Sequence, residues 1–224
     1  MKLFFFSLPI QLLAAGSFLM VSLAVRAQAD VWDAWDPEVV RQLYTSKDVP
    51  YLNEEEKKVV LFMNLARQNG PLFARTFLDA YVEENQVERT SYLRSLYRDL
   101  GKTSGLVPLQ VKEDLTAVAQ GHAQRSGETG HVGHRDMKKR FAHLRGNPYV
   151  AWGENCSYGY YEAIRIVLTL LIDEGVEGVG HRKNILNPDF NSVGVAIRPH
   201  KRYGVNTVMD FGQDPRTDLN SVPF

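Results

Sequence analysis

Cys156 is the only cysteine in a chain of 224 residues. One thiol closes no internal disulfide and builds no cysteine-based zinc centre, so the fold rests on packing and hydrogen bonds. The length favours one large domain, big enough to bury a core without staples. A composition of 44% hydrophobic and 23% charged residues is that of a globular protein. Lys and Arg together equal Asp and Glu at 26 each. That balance argues against a nucleic acid or an anionic membrane surface as partner, because both reward a surplus of basic side chains.

The first residues read MKLFFFSLPIQLLAAGSFLMVSLAVRAQAD. Lys2 supplies a positive start, Leu3 to Val25 is nearly all apolar, and Ala27-Gln28-Ala29 is a small-x-small cleavage pattern. Residues 1–29 are therefore expected to be a signal peptide, with an uncleaved N-terminal membrane anchor as the alternative. Cleavage leaves 195 residues with 24 basic and 26 acidic side chains, in a periplasmic or secreted protein without a stable membrane span.

Residues 30–52 read as an N-terminal extension carrying Trp32 and Trp35, with a short helix after Pro37. Asn53 and Glu56 make a capping box for a helix with Val59, Phe62, Met63 and Ala66 on one face, ended by Gly70-Pro71. Phe73–Val82 and Ser91–Leu100 continue the helical pattern. A fourth helix carries Leu115, Val118, Ala119, His122 and Ala123 on a stripe. A Gly- and His-rich loop is expected from Gly127 to Gly146, then an apolar helix from Glu162 to Asp173. Ser192–Ile197 and Gly204–Phe211 read as strands of a hairpin. The outline is a single α+β domain over 53–213, helices first and strands last, with 214–224 as a tail.

The histidines are His122, His131, His134, His143, His181 and His200. None of their spacings is a metal motif by itself, and the two-histidine helix of the zincins is absent. His122, on an apolar stripe, reads as a hydrogen-bonded core residue, and His200, in the hairpin turn, as solvated. Cys156 reads as a small buried hydrophobe, since no neighbouring base or helix start lowers its pKa. Ser157 lacks the nucleophile elbow of the hydrolases.

Several strings taken together resemble the CAP domain superfamily of cysteine-rich secretory, antigen 5 and pathogenesis-related proteins, in its bacterial SCP-like form. They are Asn64-Leu65-Ala66-Arg67, Ala119-Gln120-Gly121-His122-Ala123, Val132-Gly133-His134, Gly153-Glu154-Asn155, Gly180-His181-Arg182-Lys183-Asn184-Ile185-Leu186 and Val193-Gly194-Val195-Ala196-Ile197. They occur in the family's order. The chain departs from the pattern in its lack of disulfides, in Arg135-Asp136-Met137 after His134, and in the missing tryptophan of the helix before His181.

The resemblance implies an α–β–α sandwich with a cleft lined by two histidines and two acidic residues. Matched by position, these are His134 and His181 with Glu154 and Glu174. His131 and His143 compete with His134, and Asp173 is the alternative to Glu174. The histidine pair is the candidate ligand set for zinc or another divalent metal, which requires the two side chains to approach within ~4–5 Å. Two functions follow. One is a non-enzymatic exported domain binding a metal and a small or lipidic ligand. The other is a metal-dependent hydrolase, peptidase or esterase, with Glu154 as general base.

Overall fold

The computed structural model describes residues 31–142, 144 and 149–216. The expected signal peptide, the candidate His143 and most of the expected C-terminal tail lie outside them. The chain divides into two compact units, 1–35 and 36–224. In the first, the described residues make one turn in which the Trp35 N–H donates to the Trp32 carbonyl.

The second unit starts with α1 (Pro37–Leu43), whose first N–H groups are met by Asp36 and whose Pro37 has no N–H to leave unpaired. In α2 (Glu54–Gln68) the capping box forms as expected: Asn53 accepts from the Glu56 N–H at 2.9 Å and Glu56 accepts from the Asn53 N–H at 2.8 Å. Gly70-Pro71 does not simply end this helix. Asn69 caps a new one, α3 (Gly70–Phe73), which runs through a π-helical turn (Ala74–Leu78) into α4 (Asp79–Glu84). The glycine is required, because a Cβ there would sit 2.3 Å from the Leu100 carbonyl oxygen. α5 (Ser91–Leu100) follows, then the two-residue strand β1 (Gln110–Val111) and α6 (Glu113–Thr129).

The expected loop from 127 to 146 is partly helical. α6 runs on to Thr129 before Gly130 ends it in a left-handed conformation, and Met137–Ala142 forms α7. The strand β2 (Ala151–Tyr158) is a further addition to the expected outline. Its Gly, Glu, Asn and Ser hide the alternation of a strand, yet residues 153–157 are all buried. α8 (Ala163–Ile172) and α9 (Gly180–Ile185) precede the hairpin of β3 (Ser192–His200) and β4 (Gly204–Gln213).

The four strands lie in the order β1-β3-β4-β2, with β1 parallel to β3 and the other pairings antiparallel. Helix α6 presses on one face so closely that a Cβ on Gly194 would lie 2.2 Å from its backbone. Its Ala119 and Ala123 pack there against Cys156, Ala196 and Val208 of the sheet. The opposite face buries Val193, Val195, Ile197, Met209 and Phe211, with α2 and α8 packed on the sheet strands. Helices on both faces of a mixed sheet make this an α+β sandwich. Among the described residues no helix is long and apolar enough to cross a membrane.

Two buried arginines brace the loops. The guanidinium of Arg67 donates to the carbonyls of Val107, Ile185, Asn187 and Phe190 at 2.6–3.1 Å. Arg182 binds the carbonyls of Leu171, Ile172 and Tyr92, the Ser95 hydroxyl and Asp99.

Candidate functional site

Strand β2 is at the edge of the sheet, and its outer edge is closed by α9. Asn184 Nδ2 donates to the Glu154 carbonyl (3.3 Å) and to Asn155 Oδ1 (2.8 Å), while Asn155 Nδ2 donates to the His181 carbonyl (3.0 Å). Gly153 makes room: a Cβ on it would be 2.9 Å from Asn184 Oδ1. The strings Gly-Glu-Asn and Gly-His-Arg-Lys-Asn are thus two halves of one lock, which sets Glu154 and His181 beside each other.

Each imidazole is held by a buried carboxylate. His134 Nδ1–H donates to Glu154 Oε1 at 2.8 Å, and His181 Nδ1–H donates to Asp173 Oδ1 at 2.6 Å. Glu154 and Asp173 side chains are 0% and 1% exposed, whereas His134 is 45% and His181 22% exposed. The rings are therefore the outer layer and the acids the inner one. Because carboxylates only accept, each Nδ1 carries the ring proton and each Nε2 keeps its lone pair. No donor among the described residues engages either Nε2. The ring centroids are 6.4 Å apart. An ion bound ~2 Å from one nitrogen of each ring allows centroids up to ~6 Å apart, so at 6.4 Å the pair stands just beyond that span, and sharing an ion requires the rings to draw together.

Asp173, rather than Glu174, is the acid at His181. It ends α8 in a left-handed conformation (φ 57°), and its Oδ2 also accepts from the His181 and Arg182 N–H groups at 2.9 and 3.3 Å. Glu174, one residue on, turns away and accepts from the Thr90 hydroxyl at 2.6 Å. The loop from Asp173 to His181 is tightly wound: Gly175, Gly178 and the β-branched Val179 (φ 47°) all share the left-handed region. Of the two described histidines weighed for that place in the cleft, His131 and His134, it is His134 whose ring meets Glu154. His131 contributes its carbonyl, which accepts from His200 Nε2–H at 2.9 Å. His200 is buried, not solvated, because its Nδ1 also accepts the Arg202 and Tyr203 N–H groups and closes the hairpin.

Arg140 is a participant that sequence reasoning missed. From α7 it makes a two-pronged ion pair with Glu154, Nη1 to Oε2 at 2.6 Å and Nη2 to Oε1 at 3.0 Å. It belongs to the basic run Lys138-Lys139-Arg140, which carries no local mark of burial. Burial acts to raise the pKa of Glu154, but the hydrogen bonds from His134 and Arg140 and the guanidinium charge outweigh it and hold the carboxyl well below the usual range.

His122, Glu154 and Cys156 also have ligand atoms within 4.8 Å of one another, a spacing that could hold a metal ion. Their chemistry fits poorly. His122 Nε2–H donates to the Gly133 carbonyl at 2.9 Å, and its Nδ1 faces the Ser126 hydroxyl at 3.3 Å. Burial pushes the Cys156 thiol up, away from the thiolate a metal needs, and Arg140 already occupies both oxygens of Glu154. As expected, His122 and Cys156 serve the core.

A mixed sheet sandwiched by helices, with a paired histidine–carboxylate cleft at its edge, defines a class of protein. Residues 62–211 match the Cysteine-rich secretory protein family, the CAP domain, and the chain belongs to that family. It is 31% identical over 137 residues to an uncharacterized protein, YkwD, of Bacillus subtilis, covering 58% of this chain and 47% of YkwD. The matched segment thus spans about half the length of that relative. Solved structures with some likeness include an extracellular protein with an SCP domain from Bacillus anthracis (22% identity, TM-score 0.40, covering 54% of this chain and 36% of that one). Another is the CAP domain of Enterococcal PrgA (17% identity, TM-score 0.42, covering 79% and 69%).

Proposed function

We propose that the protein is an exported, non-enzymatic binding domain whose cleft holds a divalent metal such as zinc between His134 and His181, beside a small or lipidic ligand. The observation that carries the reading is the pair of buried carboxylates behind the two rings. Each fixes its imidazole with Nε2 as the free acceptor, the arrangement that prepares histidine for a metal. When bound, such an ion supplies Lewis acidity and open coordination positions for a ligand. Export is read from the pattern of residues 1–29.

Hydrolysis through the same residues is the weaker reading. Glu154 accepts from Arg140 and His134 and is held far below neutral pH, which leaves it little drive to take a proton from water. Asp173 is likewise engaged through both oxygens. Two histidines are also one ligand short of the usual catalytic zinc set.

The test is zinc titration by calorimetry, with metal counted by mass spectrometry, on wild type, His134→Ala and His181→Ala. One ion per chain is expected, lost in both variants. Failure of the wild type to bind, or binding unchanged in both variants, rejects the metal site.

A further inference from the structure

We propose that Asp210 is a neutral carboxylic acid in the folded protein, that it donates its proton to Glu154, and that it is thereby a positioning residue for the Glu154–His134 pair. The sheet register sets the two acids side by side. Glu154 of β2 is directly opposite Asp210 of β4, and Gly194 of β3 is opposite Asp210 on the other side. Directly paired residues project to one face with Cβ atoms ~4.5–5.5 Å apart, within reach of a carboxyl–carboxylate hydrogen bond. That face lies under α6, whose backbone at Leu115 and Thr116 closes over Gly194.

Asp210 is fully buried, and neither of its oxygens has a hydrogen-bond donor among the described residues. An ionised carboxylate in that condition is far more costly than a protonated one. The charged and titratable groups around the pair are few. Arg140 of α7 spends its guanidinium on Glu154. His122 of α6, 3.8 Å from Glu154 Oε1, is neutral in its hydrogen bonding, and burial lowers its pKa. Cys156 of β2 is a buried thiol. One cation thus faces two carboxyls, so the pair retains one proton.

The proton belongs on Asp210. Glu154 has the donors of Arg140 and His134, whereas Asp210 has none. Burial, then the charge of Glu154, push Asp210 well above the ordinary carboxylate range. A carboxylate offers about four acceptor positions, of which Arg140 takes two and His134 one, and the Asp210 O–H fills the fourth. This fixes the plane of the Glu154 carboxylate and, through it, the ring of His134. The assignment concerns the metal-free protein and holds whether or not the cleft binds a cation.

The experiment is infrared spectroscopy of the full-length, metal-free protein at neutral pH, with nitrogen NMR of the histidine rings. The expected result is a protonated-carboxyl C=O band in the wild type that disappears in Asp210→Asn. Asparagine keeps a donor towards Glu154, so His134 should retain its Nδ1–H tautomer in Asp210→Asn and lose that single tautomer in Asp210→Leu. Absence of the band in the wild type, or its persistence in Asp210→Asn, overturns the neutral acid. Identical His134 spectra in the Asn and Leu variants overturn the positioning role. If Asp210→Leu does not fold, Asp210→Ala, which also lacks a donor, supplies the second arm.

Discussion

Replacing Arg140 with methionine removes the cation from the buried cluster and little else, since methionine fills a similar volume. Two charge-assisted hydrogen bonds, at 2.6 and 3.0 Å, are lost together with the Nε donation to the Arg135 carbonyl at 3.1 Å. At ~1.5–3 kcal/mol for each bond to a charged group, the two contacts sum to ~3–6 kcal/mol. This agrees with the ~3–5 kcal/mol typical of removing one partner of a buried ion pair. Domains of this size are stable by ~5–15 kcal/mol, so the variant should fold with a much reduced margin. The sign of the pH dependence provides a second check. In the wild type Glu154 has a depressed folded pKa, so its contribution is present above the ordinary glutamate range and is lost as pH falls through the lowered value. Without Arg140, burial dominates and raises the folded pKa, so stability at neutral pH is what the variant lacks and acid restores part of it. Urea unfolding followed by tryptophan fluorescence measures both quantities, with Trp152 stacked on Phe141 of α7 as a nearby reporter. A loss below ~1 kcal/mol, or a gap between the two proteins that stays constant from about pH 4 to 8, would refute the ion-pair argument.

Three further outcomes are expected. Asp173→Ala frees His181 Nδ1 and should weaken zinc binding ~10–100-fold in calorimetry, while Glu174→Ala, whose carboxylate accepts from the Thr90 hydroxyl, should not. Arg67→Met leaves the carbonyls of four residues without their buried donor and should cost more than ~4 kcal/mol in chemical denaturation. Val179→Gly relieves a left-handed β-branched residue and should raise stability by ~0.5–1 kcal/mol, visible as a higher urea midpoint.

Much of the fold was legible because local rules set it. The capping box at Asn53, the helix from Ser91 to Leu100 and the final hairpin follow from nearest-neighbour chemistry, and the structure has all three. Strand β2 was not legible, since its buried Glu and Asn are satisfied by α7, α9 and the loop before α7, far away in sequence. The same reason separates the site residues that were foreseen from those that were not. Glu154, His134 and His181 sit in recognisable strings. The choice of Asp173 over Glu174 depends on a left-handed helix end, a feature one residue wide. Arg140 and Asp210 declare themselves only in three dimensions, one as a buried member of a basic run and the other as a lone acid in an apolar strand.

The absence of disulfides gives the two arginine braces a particular thermodynamic character. A disulfide acts largely on the denatured ensemble by shortening its reach, and it persists after the native contacts have gone. Arg67 and Arg182 gather carbonyls that lie up to 123 residues from the arginine in sequence and that converge only once the loops have closed. Their stabilisation therefore vanishes as soon as the loops part. Reductants should leave this protein untouched, and loosening any one braced loop should release its neighbours with it.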